Sequence, residues 1–150
     1  MNSYTYDKID IGHVESFKVE LTTEKLRLFS EITGDCNPLH NDEAFSRKRG
    51  YPCVISHGML TASFLSTLAG VYLPGQNDLV HEVSIRLVKP VLIGNGLDPS
   101  IQDRVALTVT GKVVDKQDIF RRIIVKVTIT NDSEGGEPVL RGVMKIGVAV

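Results

Sequence analysis

Residues 57–73 read HGMLTASFLSTLAGVYL, a stretch that contains no Asp, Glu, Lys or Arg. Its side chains are apolar or small on every side of a helix, and a helix of that composition is normally buried. The stretch is too short and too rich in Ser and Thr to be a membrane span. Pro74 and Gly75 follow, and both residue types interrupt helices. We therefore predict a buried central helix over residues 57–73.

Alternation of apolar and polar residues predicts strands on both sides of this helix. One candidate strand precedes it and four follow it, at residues 15–21, 83–88, 105–111, 123–130 and 139–150. One buried helix and a run of antiparallel strands predict an α+β fold in which the sheet wraps around the helix. No repeat or linker divides the chain, so we expect a single domain over residues 1–150.

A second helix is predicted between the first strand and the central helix. A threonine at position 22 or 23 is a suitable N-cap, and Gly34 is a suitable C-cap because glycine readily adopts positive φ. An apolar stripe is expected at Leu26, Phe29 and Ile32. Residues 35–40 must then form a loop, because an Asn-Pro pair disfavours helix. A short helix over residues 43–48 follows this loop.

The composition excludes several classes of protein. The 17 Lys and Arg residues nearly balance the 18 Asp and Glu residues, whereas a nucleic-acid-binding protein carries a basic excess. No apolar run reaches the roughly 18 residues that span a bilayer, and no signal peptide is recognisable, so we expect a cytoplasmic protein without membrane insertion. The two cysteines, Cys36 and Cys53, are not spaced as metal ligands, which predicts free thiols and no metal site.

Two short motifs flank the loop and the start of the central helix. Residues 29–40 read FSEITGDCNPLH, and residues 56–60 read SHGML. This combination resembles the MaoC-like hydratases and dehydratases, which include the (R)-specific enoyl-CoA hydratases. The resemblance implies the hot-dog fold and a hydro-lyase of fatty acid metabolism that interconverts trans-2-enoyl and (R)-3-hydroxyacyl thioesters. We expect no cofactor. The acyl chain is carried on coenzyme A or an acyl carrier protein, and both carriers end in phosphopantetheine.

The resemblance implies that Asp35 and His40 are the catalytic pair. Hydration needs a proton taken from water and a proton delivered to the α-carbon, and a carboxylate and an imidazole can do both near neutral pH. We assign Asp35 as the base toward water and His40 as the proton donor, with the roles reversed for dehydration. Taken alone, Asp35 would be a turn-capping residue and His40 an ordinary packed or exposed histidine.

Gly58 is the expected oxyanion site. The first turn of a helix has unpaired N–H groups at the positive end of its dipole. A residue without a side chain also lets a thioester oxygen approach the backbone closely. The resemblance and the physical argument therefore agree on the Gly58 N–H as the donor to the enolate oxygen.

Four further residues are expected near the substrate. Asn37 either orients the loop or forms hydrogen bonds near the pair. Ser66 lies where related hydratases also carry serine, although a serine there can instead bond an i−4 carbonyl. His57 either contacts the substrate or packs under the loop and satisfies backbone groups. Met59, in the same helical turn, completes the set.

The resemblance also implies a homodimer with a continuous sheet. The candidate strands at residues 108–115 and 121–131 look long, and long exposed edges favour pairing with a second subunit. The basic residues 47–49 are either a solvated helix end or a docking patch for coenzyme A phosphates or the acidic face of a carrier protein. Residues 95–103 form an apparent insertion relative to the family.

Two other functions are compatible with a hot-dog fold. An acyl thioesterase of this fold usually carries its carboxylate on the central helix, but residues 57–73 contain none. A non-catalytic acyl-binding subunit of a dehydratase complex would not need both Asp35 and His40. The sequence therefore favours the hydratase or dehydratase.

Overall fold

The computed structural model describes residues 1–94 and 102–149. The strands are β1 (Val14–Thr22), β2 (Val54–Ile55), β3 (Asp78–Leu87), β4 (Leu92–Ile93), β5 (Arg104–Gln117), β6 (Arg122–Asn131) and β7 (Glu137–Val148). The helices are α1 (Thr23–Thr33), α2 (Glu43–Lys48) and α3 (Gly58–Thr67), and a π-helical turn at Leu68–Tyr72 extends α3. A 3-10 turn at Pro38–His40 lies between α1 and α2.

The long strands form one antiparallel sheet in the order β1-β5-β6-β7-β3, and the two-residue strands β2 and β4 pair with each other. Alternate residues of β5 and β6 are buried on one face of the sheet, as the period-2 pattern predicts. The π-helical turn packs on this face at Gly111, where an added Cβ would lie 2.8 Å from Leu68 Cδ2. The predicted α+β arrangement of a sheet around a central helix is confirmed.

The central helix differs from the prediction in two respects. Its α-helical part ends at Thr67, and the chain continues to Tyr72 as a π-helical turn. It is also not buried on every side, because Met59 and Ser66 are exposed while Leu65 is buried. Uncharged side chains can also lie on a face that is open to solvent or to a partner. The absence of charged residues therefore did not justify the prediction that the helix is buried on every side.

The expectation that the long strands provide exposed edges is wrong. β5 and β6 lie in the middle of the sheet, and each pairs along its length with a neighbour on either side. The edges are β1 and β3. Along β3 most side chains are exposed, including those of Leu79, Val83 and Leu87.

Helix α1 begins and ends as predicted, but its apolar stripe is shorter. The Thr22 side chain accepts a hydrogen bond from Lys25 N at 3.3 Å, and Gly34 ends the helix with φ 76°. Leu26 is buried, whereas Ile32 is 82% exposed. At about 100° per residue, Ile32 lies roughly 200° around the helix from Ser30, which faces inward. The prediction for Ile32 was therefore wrong.

Two other sequence expectations concern the chain outside the sheet. Cys36 and Cys53 are free cysteines, as predicted. The apparent insertion falls largely outside the described residues, which resume at Gln102, whose carbonyl accepts a hydrogen bond from Gly94 N at 2.7 Å. None of the helices formed by the described residues has the length and apolar character that a membrane crossing requires.

Candidate active site

The loop after α1 is built from two consecutive side-chain turns. Asp35 Oδ1 accepts a hydrogen bond from Asn37 N at 3.2 Å, and Asn37 Oδ1 accepts one from Leu39 N at 3.0 Å. Pro38 then begins the 3-10 turn that ends at His40. Asp35 and Asn37 thus perform the turn-capping role that their positions in the sequence suggested. The Asp35 side chain remains exposed.

His40 is fixed by a backbone carbonyl of β2. Its Nδ1 lies 2.6 Å from Ile55 O. Because a carbonyl oxygen only accepts hydrogen bonds, Nδ1 carries a proton in the neutral ring. Nε2 is therefore the nitrogen that can gain or lose a proton during a reaction.

His57 packs beneath both members of the expected pair. Its ring is 2% exposed and stacks on His40 with 3.9 Å between ring centroids. Its Nε2 lies 3.3 Å from Asp35 O and 3.2 Å from Ser30 Oγ. The second interpretation of His57, as a residue that packs under the loop and satisfies backbone groups, agrees with this geometry.

The tautomer and charge of His57 follow from its contacts. Asp35 O only accepts, so Nε2 donates, and the buried Nδ1 has no hydrogen-bond partner among the described residues. Desolvation by burial lowers the pKa of His57, and the neighbouring His40 lowers it further. His57 is therefore a neutral ring. Its Nε2–H donates a hydrogen bond to the Asp35 backbone carbonyl, and the face of the ring stacks on His40.

Asp35, His40 and His57 form a compact polar cluster. One carboxylate oxygen and one nitrogen from each ring lie within 4.8 Å of one another. A metal ion binds imidazole along a lone pair in the plane of the ring, and two stacked rings do not direct such lone pairs to one point. The stacked rings are thus poorly arranged to share a metal ion, and the expected absence of a metal stays a prediction. The closeness of a carboxylate and an imidazole is suited to proton transfer.

The N-terminus of α3 opens into a cavity of about 280 Å³. His57 is the N-cap residue, and its side chain forms no capping hydrogen bond. The cavity is lined by His40, Gly58, Thr61, Leu87, Val88 and Val139, among others. An added Cβ at position 58 would overlap Leu87 Cδ1, the end of an exposed side chain that can rotate away. The role of the Gly58 N–H as an oxyanion donor stays a prediction.

A second and larger cavity lies on α1 and the loop that follows it. It has a volume of about 500 Å³ and is lined in part by Leu26, Ser30, Cys36, His40 and Val54. His40 lines this cavity and the Gly58 cavity alike. A thioester bound at Gly58 would therefore lie beside His40, and the two cavities would leave space for the substrate on either side of this residue.

Three of the residues expected near the substrate lie apart from this cluster. Met59 is 63% exposed and Ser66 is also exposed, and neither lines either of the two cavities at His40. The Asn37 side chain is used in the loop turn, and it borders a different cavity beside Phe45. Asn37 therefore orients the loop, which was one of its two predicted roles.

Ser30 and Leu87 were not predicted as site residues. Ser30 is a polar residue on the inward side of α1, beside Leu26 and Phe29, and this is the signal that could have identified it. Leu87 has no such signal, because it reaches Gly58 only through the packing of β3 against α3. The basic residues after the loop are partly engaged: Arg47 Nε donates to Glu43 at 3.1 Å, and the Arg49 guanidinium lies 5.2 Å from the Phe45 ring centre.

A central helix packed on a five-stranded antiparallel sheet, with an Asp–His pair beside the helix N-terminus, defines the class of hot-dog hydratases. Residues 11–135 match the MaoC like domain, and the chain belongs to this family. The fold is shared with the unliganded R-hydratase PhaJ1 from Pseudomonas aeruginosa. The TM-score is 0.83 at 24% identity, over 97% of this chain and 85% of that one.

Two curated relatives are similar in sequence. A 3-hydroxybutyryl-CoA dehydratase of Methylorubrum extorquens is 30% identical over 65% of this chain and 62% of its own length. An (R)-specific enoyl-CoA hydratase of Rhodospirillum rubrum is 30% identical over 75% of this chain and 74% of its own length. The chain thus spans less than two thirds of the first relative. The predicted family and hot-dog fold are confirmed, and the names of these relatives agree with the predicted hydro-lyase class.

Proposed function

We propose that this protein interconverts trans-2-enoyl and (R)-3-hydroxyacyl thioesters carried on coenzyme A or an acyl carrier protein. The observation that carries the proposal is the position of His40. Its Nδ1 is fixed on Ile55 O, it lies beside Asp35, and it lines the cavity at Gly58. The names of the relatives support the reaction class and, in one case, the (R) stereochemistry.

In the hydration direction, the thioester oxygen accepts a hydrogen bond from the Gly58 N–H. Asp35 takes a proton from water while the water oxygen bonds to the β-carbon. The electron pair of the double bond moves toward the thioester as an enolate, and protonated His40 delivers its Nε2 proton to the α-carbon. A proton then passes from Asp35 to His40 through solvent, which restores both groups. A single oxyanion donor typically contributes about 2.7–4 kcal/mol to lowering such a barrier.

His57 and Ser30 are positioning residues in this scheme. The His57 Nε2–H donates to Asp35 O, and its ring supports His40, while Ser30 Oγ contacts the same nitrogen. A neutral His57 also avoids placing a second positive charge against protonated His40. The pair is thereby held in one geometry before substrate binds, which is a large source of catalytic advantage.

We also propose that the protein acts as a homodimer, as one domain over residues 1–150, in the cytoplasm. The unpaired edge strand β3 exposes Leu79, Val83 and Leu87, and pairing with a second β3 would cover them. Because Leu87 also contacts the Gly58 position, such an interface would border the site. An exposed free thiol at Cys36 supports a reducing compartment.

The reaction class is tested with wild-type protein and crotonyl-CoA. Hydration removes the enoyl absorbance without releasing a thiol, and chiral analysis of the product should give the (R)-3-hydroxy ester. A thioesterase would release free coenzyme A, which a thiol reagent detects. A non-catalytic acyl-binding subunit would produce neither signal. Either of these two outcomes would contradict the proposal.

A further inference from the structure

The face of the sheet that is turned away from α3 carries a cluster of exposed cations, one on each of four strands. We call this set the outer cationic face: Arg86 on β3, Lys112 on β5, Lys126 on β6 and Arg141 on β7. On β6, for example, Val125 and Val127 on either side of Lys126 are fully buried on the inner face. Within the described chain, none of the four cations is part of an ion pair.

The register of the sheet places like charges directly opposite each other in this cluster. Arg86 is opposite Arg141, and Lys112 is opposite Lys126. Directly opposed like charges destabilise a pair of strands. Elsewhere on the sheet, cations are matched: Lys145 Nζ lies 2.7 Å from Glu82 Oε2. The unmatched cluster therefore does not serve stability, and a chain of net charge −1 concentrates positive charge on this face.

The outer cationic face carries a cavity of its own near the end of β3. This shallow cavity of about 380 Å³ is lined by Arg86, Val88, Val114, Lys126, Arg141 and Val143. Val88, which follows the end of β3, also lines the Gly58 cavity and is the one lining residue that the two cavities share among the described residues. Val88, Val114 and Val143 are each more than a third exposed. An apolar centre with a charged rim is the composition of protein–protein interfaces.

We propose that the outer cationic face docks the acidic surface of an acyl carrier protein, whose phosphopantetheine arm passes Val88 into the Gly58 cavity. This proposal rests on the proposed function. The spread of the cations over four strands matches a broad acidic protein surface better than the compact phosphates of coenzyme A. A second copy of this chain is a poor occupant, because two such faces repel each other.

The test compares one crotonyl group on two carriers. We expect the double variant Lys126→Glu/Arg141→Glu to raise the KM for crotonyl acyl carrier protein by about tenfold or more, with kcat unchanged. Its KM for crotonyl-CoA should stay within about twofold of wild type, since the small substrate does not need the docking face. The matched control is Lys48→Glu/Arg49→Glu, which makes the same change of charge at the other basic cluster and should leave both constants unchanged.

Three results would overturn the docking proposal. The first is an equal rise of the KM for both substrates, which would indicate phosphate recognition. The second is no change of either KM, and the third is a rise of the KM for the carrier-linked substrate in the control variant instead.

A failure of the proposed function is distinguishable, because wild type would then hydrate neither substrate. Docking is still measurable in that case by fluorescence anisotropy of labelled holo carrier protein. Wild type should bind it, and binding should be lost in Lys126→Glu/Arg141→Glu and at high salt; retained binding would contradict docking on this face.

Discussion

At the scale of single residues, His57 determines whether Asp35 and His40 keep their geometry. His57→Phe keeps an aromatic ring against His40 but removes the hydrogen bond to Asp35 O. We expect kcat to fall about tenfold with KM nearly unchanged, because one hydrogen bond of about 1 kcal/mol positions the loop. Steady-state kinetics with crotonyl-CoA measures this. Ser63→Ala, which removes the hydroxyl that donates to Leu60 O within α3 and does not contact His40 or Asp35, is the control. An unchanged kcat in His57→Phe would exclude the positioning role.

The same residue predicts how stability depends on pH. The unfolded chain protonates His57 near its ordinary pKa of about 6.5, whereas burial lowers the pKa in the folded state. The unfolded state therefore binds more protons below pH 6.5, and the free energy of unfolding falls as the pH falls through that range. Urea unfolding at pH 7.5 and 5.5 should show a smaller loss in His57→Phe than in wild type. Exposed His81→Asn should keep the wild-type loss; equal losses in all three proteins would contradict the assignment.

The local and specific motif was sufficient to single out Asp35, His40 and Gly58, which the structure brings together beside one cavity, and their catalytic roles stay predictions. It did not identify Ser30 or Leu87. The contact of Ser30 with His57 joins residues 27 apart in the chain, and that of Leu87 with Gly58 depends on how an edge strand meets a helix. Helical spacing could have placed Ser30 on the inward side of α1, but its partner His57 and the contact of Leu87 with Gly58 are set by tertiary packing, which residue spacing does not encode.

At the scale of elements, β3 meets the N-terminus of α3 at Gly58. A Cβ at this position would displace Leu87 Cδ1, which is the end of a flexible side chain that is 52% exposed and can rotate away. Gly58→Ala should therefore change the free energy of unfolding by less than about 1 kcal/mol, measured by urea unfolding. Gly70→Ala is the control, since its Cβ would meet Asp78 Oδ1 at an ordinary 3.6 Å. A loss of about 3 kcal/mol or more in Gly58→Ala alone would mean that Leu87 cannot move away from α3.

Element type was predicted more reliably than element position. The caps Thr22 and Gly34 and the alternation of β5 and β6 are local signals, and they were correct. The sheet order is a long-range property, and the length of β5 was misread as an exposed edge although β5 is an inner strand. Lack of charge in residues 57–73 likewise did not reveal that one side of the helix is exposed.

At the scale of the whole molecule, the edge strand β3 predicts self-association. Wild type should have the mass of a dimer or a multiple of it by light scattering at working concentration. Val83→Lys places a charge on the exposed edge and should shift the protein toward the monomer without loss of fold. Lys18→Glu on the other edge strand, β1, is the control and should leave the mass unchanged. A monomeric wild type would contradict the homodimer.

The central claim is that Asp35 and His40 together move the protons of hydration. The most direct measurement is the loss of enoyl absorbance from crotonyl-CoA with wild type, Asp35→Asn and His40→Ala, after each variant is shown to be folded by circular dichroism. Wild type should be active, and each substitution should lower kcat/KM by about 10²–10⁴-fold, the range of general acid–base catalysis. Wild-type activity retained in both variants would contradict the claim.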